Sequence, residues 1–316
     1  MKILVTGGAG FIGSVLVPKL LQRFPQIHDH YHVTVLDSFS HGENSLSACC
    51  GSPNFEAVRG DARDVRILEP LVKKADVIIP LAAIVGAPAC AKDESAATST
   101  NRQAIATLCG LTSPAQMIVY PNSNSGYGMI GNEEFCTEES PLKPLSLYAR
   151  TKCEAENVVM DRENSVAFRL ATAFGASPRM RADLLVNEFV YRAIYDRAIL
   201  VFEGHFRRNF IHVEDIANAF IHAINRFGDM RGKIYNAGLS TANITKLQLC
   251  EKIKQHIDDF VYVETAQGTD PDKRDYVVSN AKIEATGFRA TKSLDDGIVE
   301  LKKLFTMLRN TRYGNA

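Results

Sequence analysis

Residues 2–13 read Lys2-Ile3-Leu4-Val5-Thr6-Gly7-Gly8-Ala9-Gly10-Phe11-Ile12-Gly13, and this stretch decides the fold. An apolar run from Lys2 to Val5 meets a glycine cluster, and beyond it Val15, Leu16, Leu20 and Leu21 recur at helical spacing. The pattern is strand, tight turn, helix. Glycines at Gly7, Gly10 and Gly13 leave no side chain to block a pyrophosphate. The helix N-terminus after them offers N–H groups and the positive end of a dipole.

Reading outward, the unit repeats. Val33 to Leu36 is a second apolar run and ends at Asp37, where a carboxylate can accept both ribose hydroxyls of a dinucleotide. Ser38, Phe39 and Ser40 come next without an arginine to neutralise a ribose 2′-phosphate, which favours NAD over NADP. Phe55 to Val58 precedes Asp61 and Ala62, with Asp61 placed to accept from the adenine amino group. Val77 to Leu81 is wholly apolar, as in a strand buried on both faces, and Leu81, Ala82 and Ala83 suit close passage of a cofactor. A helical stretch covers about Ser95 to Leu111, and Met117 to Tyr120 is the next strand. Alternating strands and helices predict an α/β fold, a Rossmann-type doubly wound parallel sheet.

The second half is less regular. Phe174 to Arg181 reads as a loop, and helical patterns appear near 184–195, 213–227, 247–257 and 294–307. The expected division is an NAD-binding Rossmann domain over 1–170, with segments near 208–238 returning to it. A smaller mixed α/β substrate domain takes most of 171–316.

A formal net charge of zero gives no global pull toward nucleic acid or an anionic membrane, so an anionic ligand needs a local site. No apolar run is long enough to cross a bilayer, and Met1 leads straight into a strand without a signal leader. The seven cysteines show no metal or redox spacing and read as reduced thiols of a cytoplasmic protein. His28, His30 and His32 alternate with Asp29 and Tyr31 in an expected surface loop; no metal site is predicted there. His212 lies in an apolar run and reads as a core histidine with its hydrogen bonds satisfied.

Tyr148 and Lys152 stand four apart in a helical stretch and so share one face. Free tyrosine, with a pKa near ~10, is a poor base at neutral pH, and a nearby ammonium would stabilise its phenolate. With Gly7–Gly13, Asp61, Ser123 and Tyr148-Ala149-Arg150-Thr151-Lys152, the chain resembles the extended short-chain dehydrogenase/reductase family of nucleotide-sugar epimerases, dehydratases and dehydrogenases. The match extends into Arg208-Asn209-Phe210-Ile211-His212-Val213-Glu214-Asp215.

The resemblance implies NAD as cofactor and a nucleotide-diphosphate sugar as substrate. It makes Ser123 the hydroxyl that orients the sugar oxygen and Tyr148 the base that removes a proton at carbon 4. Lys152 holds the nicotinamide ribose, and Asn101 lies near the cofactor. Arg208 and Arg274 match arginines that pair with the diphosphate. Asn124, Thr172 and Asn187 join them as expected substrate contacts, and family analogy suggests a homodimer.

Dehydratases of the family carry an Asp-Glu pair after the Ser/Thr, where this chain has Asn124 and Ser125, neither an acid or base at neutral pH. Oxidation at carbon 4, as a 4-dehydrogenase or 4-epimerase, is therefore the leading expectation, with a 4,6-dehydratase as the alternative. A non-catalytic NAD-binding protein is a third reading, opposed by the intact Ser123, Tyr148 and Lys152. The family's aromatic-Asn pair is replaced by Ala171-Thr172, and Arg179 or Arg181 is expected to compensate for a lost phosphate contact. Asn122–Gly128, Pro178–Arg181, Asp183–Asn187 and Asp270–Tyr276 together look like a bacterial surface-polysaccharide subgroup with a branch resembling GDP-manno-heptose 4-dehydrogenases.

Overall fold

The apolar runs of the first half become strands of one sheet. The computed structural model describes residues 1–22, 31–41, 44–129, 135–266 and 274–308. Seven strands contribute: β1 (Lys2–Thr6), β2 (His32–Asp37), β3 (Phe55–Arg59), β4 (Val77–Pro80), β5 (Met117–Ser123), β6 (Ser165–Leu170) and β7 (Lys233–Ala237). Their order is β7-β6-β5-β4-β1-β2-β3, and every pairing is parallel. All residues of β4 and β6 are buried, because helices cover both faces.

On one face Leu16, Val17 and Leu20 pack with Ile216, Phe220 and Ile224 of the helix Val213–Asn225. On the other, Leu68, Val72, Ile105 and Leu108 meet Ala155 and Val159 of the helix Leu147–Met160. The chain leaves β1 in one direction and β4 in the other, so their ends flank a topological switch point, where ligands bind in such sheets.

A second core lies beside the sheet. Val186, Phe189 and Val190 pack with Leu249, Ile253, Ile298, Leu301 and Phe305 from the helices Leu185–Tyr195, Lys246–His256 and Leu294–Met307. Thr172–Phe174, Arg207–His212 and Asn243–Thr245 form a three-stranded sheet here. The segments near 208–238 divide between the two sheets. Of the segments near 208–238, the helix Val213–Asn225 and β7 do return to the main sheet and its core. The strand Arg207–His212 instead pairs with Thr172–Phe174, because β7 already occupies the free edge of β6.

Asp215 explains the acidic end of the motif 208–215. Fully buried, its carboxylate accepts the Thr291 N–H, the Thr291 hydroxyl and the Lys292 N–H at 2.8–3.0 Å. It ties the C-terminal segment to the main core. Asp215→Ala removes the buried acceptor that Thr291 and Lys292 share and leaves a space in the core, and chemical denaturation should show a loss of roughly 1–3 kcal/mol.

Candidate active site

The glycine turn nests on the end of β4. Gly7 has φ +71°, and a Cβ there would stand 2.5 Å from the Ala82 nitrogen. A Cβ on Gly13 would meet the Gly8 carbonyl at 2.4 Å, so the helix Gly13–Leu21 starts directly beneath the turn. The Asp37 carboxylate accepts the Ala9 N–H at 2.9 Å and the Phe39 N–H at 2.8 Å. It therefore sits between the turn and the exit of β2. Leu81, Ala82 and Ala83 are partly exposed along the same rim. Asp61 is held by Arg63, which keeps its carboxyl below the usual range and also reaches Ser99. A side-chain-free cradle at a helix N-terminus, with a carboxylate at the next strand end, fits the pyrophosphate and ribose of a dinucleotide.

Ser123 ends β5, and its hydroxyl accepts the Ser125 N–H at 3.2 Å. Tyr148 lies in the first turn of the helix Leu147–Met160, which Ser146 caps through the Ala149 N–H at 3.1 Å. Strand end and helix start converge on Ser123 and Tyr148. Burial pushes the Tyr148 phenol up to about 12, against the pull of Arg181, Arg274 and the nearby Ser123 hydroxyl.

Lys152 is buried one turn further on, with Nζ 4.2 Å from the centre of the Tyr120 ring. The Tyr120 hydroxyl donates to the Lys152 carbonyl at 3.2 Å. Burial pushes the Lys152 ammonium down to about 7, opposed by Cys153 and Glu156. Tyr148 and Lys152 thus share a helix face as the spacing requires. The lysine rests on Tyr120, and the cations acting on the phenol come from the second half of the chain.

Behind this face lies a buried polar network that the sequence pattern alone did not reveal. Glu156 Oε2 accepts Asn122 Nδ2 at 2.7 Å, and Glu156 Oε1 pairs with Arg169 Nη2 at 2.8 Å. Arg169 Nη1 donates to the Tyr127 hydroxyl at 3.1 Å, which reaches Asn236 Oδ1 at 2.7 Å. Asn122, Arg169 and Asn236 are register partners across β5, β6 and β7. The available signal was one polar residue interrupting each of three apolar strands.

Asn124 and Ser125 are buried beside Ser123, and both Asn124 amide atoms and the Ser125 hydroxyl lack hydrogen-bond partners, as does the Thr172 hydroxyl. Buried polar atoms of this kind call for a ligand or water. Arg208 is buried with its guanidinium 5.9 Å from the Tyr276 ring centre. The stretch Asp270 to Lys273 lies outside the described residues, as do His28, Asp29 and His30.

Three residues expected at ligands are engaged by protein groups. The Asn187 amide accepts the Gly175 N–H and donates to the Arg181 carbonyl, so it shapes the loop 175–181. Asn101 lies in a π-helical turn, Ser99–Gln103, and its amide exchanges hydrogen bonds with the Ile84 backbone, at 2.8 and 2.9 Å. It holds the rim segment that ends at Ile84. Arg179, expected at the substrate phosphates, lies on the cofactor side. Its N–H donates to Ser14 Oγ and its guanidinium meets His41 Nδ1 at 2.9 Å, because Ser177 docks on the Phe11 carbonyl at 2.8 Å. His212 is buried, caps its helix through the Glu214 N–H and lies 2.7 Å from Glu300. No cluster of metal-ligating side chains occurs among the described residues, and no helix there is long and apolar enough to cross a membrane.

The model of the NAD dependent epimerase/dehydratase family matches residues 3–238. The chain belongs to this family. The low-salt glycan biosynthesis protein Agl12 of Haloferax volcanii is 31% identical over 312 residues, spanning 94% of this chain and 96% of that protein. UDP-glucuronic acid decarboxylase 6 of Arabidopsis thaliana is 30% identical over 97% of this chain and 89% of its own length. The UDP-glucuronic acid 4-epimerase of Bacillus cereus, solved with UDP-glucuronic acid and NAD, shares the fold. Its TM-score is 0.85 at 23% identity, covering 98% of this chain and 100% of that one. Other family relatives are dTDP-glucose 4,6-dehydratases.

The burial of Lys152 yields a stability test. Its folded pKa, about 7, lies below the unfolded value of ~10.4. Between these values the unfolded chain binds more protons, so this group's destabilising effect is full below pH ~7 and fades as pH rises toward ~10. Lys152→Met should therefore raise Tm by a few degrees at pH 6, and the gain over wild type should shrink steadily in scans up to pH 9.5.

Proposed function

We propose that this protein oxidises carbon 4 of a nucleotide-activated sugar, as a 4-dehydrogenase or 4-epimerase of polysaccharide biosynthesis. The observation that carries the reading is the convergence of Ser123, at the end of β5, and Tyr148, in the first turn of its helix, beside the unpartnered amide of Asn124. Ser123 orients the sugar hydroxyl, and Tyr148 removes its proton. Lys152 supplies positive charge along the same helix face. The glycine turn and Asp37 would hold NAD, which would supply the hydride acceptor. Asn124, Ser125 and Thr172 present neutral donors and acceptors to the sugar. Arg208 and Arg274 match the diphosphate in charge and geometry.

Relatives in the family are dehydratases, decarboxylases and epimerases, so the fate of the keto-sugar is the open question. The slots after Ser123 favour a reaction without a second acid or base. An amide at 124 and a hydroxyl at 125 do not protonate a leaving hydroxyl at neutral pH. The narrower resemblance makes GDP-manno-heptose the first sugar to try. A homodimer paired through the helix Leu147–Met160 is part of the same proposal.

The purified protein should be incubated with NAD and UDP-, GDP-, CDP- and dTDP-sugars, with reduced nicotinamide and product mass monitored. Unchanged mass with inverted stereochemistry marks an epimerase, and loss of two hydrogens a dehydrogenase. Loss of water or of carbon dioxide would overturn the reading in favour of a dehydratase or a decarboxylase. Tyr148→Phe should lower kcat about 10²–10⁴-fold while NAD still binds. Full activity in that variant would remove the phenol from the mechanism.

A further inference from the structure

The buried carboxylate of Glu156 touches neither Tyr148 nor Ser123 directly, yet it is bonded into the supports of both. It lies four residues after Lys152 and eight after Tyr148, on the same helix, and is 1% exposed. Toward β5, it fixes Asn122 Nδ2 at 2.7 Å, and Asn122 Oδ1 in turn accepts the Ser123 N–H at 2.8 Å. Toward β6, Arg169 reaches both carboxylate oxygens, with Nε 3.2 Å from each and Nη2 2.8 Å from Oε1. Arg169 is itself braced by Tyr127 and the Glu138 carbonyl. One carboxylate therefore sets the helix carrying Tyr148 against the strand end carrying Ser123.

We infer that Glu156 is a positioning residue: through Asn122 and Arg169 it fixes Ser123 relative to the Tyr148–Lys152 face. The inference rests on the proposed function for what that geometry is used for. Three features support a positioning role over a purely stabilising one. A buried ion pair adds little net stability relative to apolar packing, so stability alone is a weak reason for it. Its hydrogen bonds are directional and complete, which specifies a register that apolar contact leaves loose. The chain from carboxylate to amide to the Ser123 N–H ends next to the reacting groups. A misplacement of ~1 Å there costs about 10²-fold in rate.

The charge has a second effect. The ionisable groups around Lys152 are Tyr120 on β5 and Tyr148, Cys153 and Glu156 on its own helix; Arg169 on β6 faces Glu156. Glu156 is the carboxylate among them, and it favours the ammonium form of Lys152.

Glu156→Gln alone strands a buried arginine, so the test uses the double variant Glu156→Gln/Arg169→Met, which removes both charges together. Thermal unfolding verifies folding, and Glu156→Asp, which keeps the charge on a shorter arm, serves if the double variant does not fold. Lysine labelled with ¹³C at Cε reports Lys152, its resonance assigned by loss in Lys152→Met. In the double variant, the Lys152 midpoint should fall. In either variant, kcat on whichever UDP-, GDP-, CDP- or dTDP-sugar the wild type turns over should drop about 10–100-fold, with KM and NAD affinity near wild type. A wild-type kcat, or a Lys152 midpoint that does not move in the double variant, overturns the inference. The labelled lysine is read without substrate. If no sugar turns over, the proposed function fails while the titration still tests the coupling of Glu156 to Lys152.

Discussion

The ion pair between Arg169 and Glu156 is the constraint on which the catalytic face depends. It is almost wholly buried, with side-chain exposures of 6% and 1%. A charge in such a place is tolerated only when paired and fully hydrogen-bonded, and the surrounding residues meet that demand. Asn122 also donates to the carboxylate, Tyr127 and the Glu138 carbonyl accept from the guanidinium, and Asn236 closes the row. Such a network tolerates few alternative arrangements. A helix that slid by one residue would move Glu156 away from Arg169, so the pair selects one register for Tyr148 and Lys152.

The second constraint is backbone contact at the switch point. Gly7 and Ala82 approach so closely that a methyl group has no room between them. This brings the turn after β1 onto the end of β4, and the ligand-binding rim becomes a continuous edge running from Asp37 to Ser123. Desolvation at that edge acts oppositely on the two ionisable groups of the catalytic face. It raises the phenol of Tyr148 and lowers the ammonium of Lys152, favouring the neutral form of each. Tyr148 alone is therefore a weak base, and its activation must come from charge brought close to it. Arg181 and Arg274 already exert that pull from the second half of the chain.

Local signals were legible in the sequence. The glycine run with its flanking apolar residues, the carboxylate at 37, and the Tyr148–Lys152 spacing each depend on contacts within a few residues. Long-range pairing was not legible. Asn122, Glu156, Arg169 and Asn236 are far apart in the chain and meet only because β5, β6 and β7 are neighbours in a particular register. Asn101 and Asn187 carry the right chemistry for ligand contact, but their amides are engaged by backbone groups from elsewhere. Where Arg179 points was not legible, because a loop's direction depends on where its other residues dock. Here Ser177 on the Phe11 carbonyl turns the arginine toward the cofactor rim.

These two kinds of residue divide the chemistry. On the proposed reading the sheet edge, Ser123, Tyr148 and Lys152 provide for removing a proton and a hydride from the sugar. The fate of the oxidised sugar depends on groups that touch the neighbouring carbon atoms. On the proposed reading those positions are Asn124, Ser125 and Thr172, whose buried polar atoms have no hydrogen-bond partner in the protein. An amide and two hydroxyls can orient a sugar but exchange no proton with it at neutral pH. The surroundings therefore support a keto-sugar left otherwise intact, and the absence of a carboxylate at 124 and 125 carries more weight in that choice than overall similarity to any one relative.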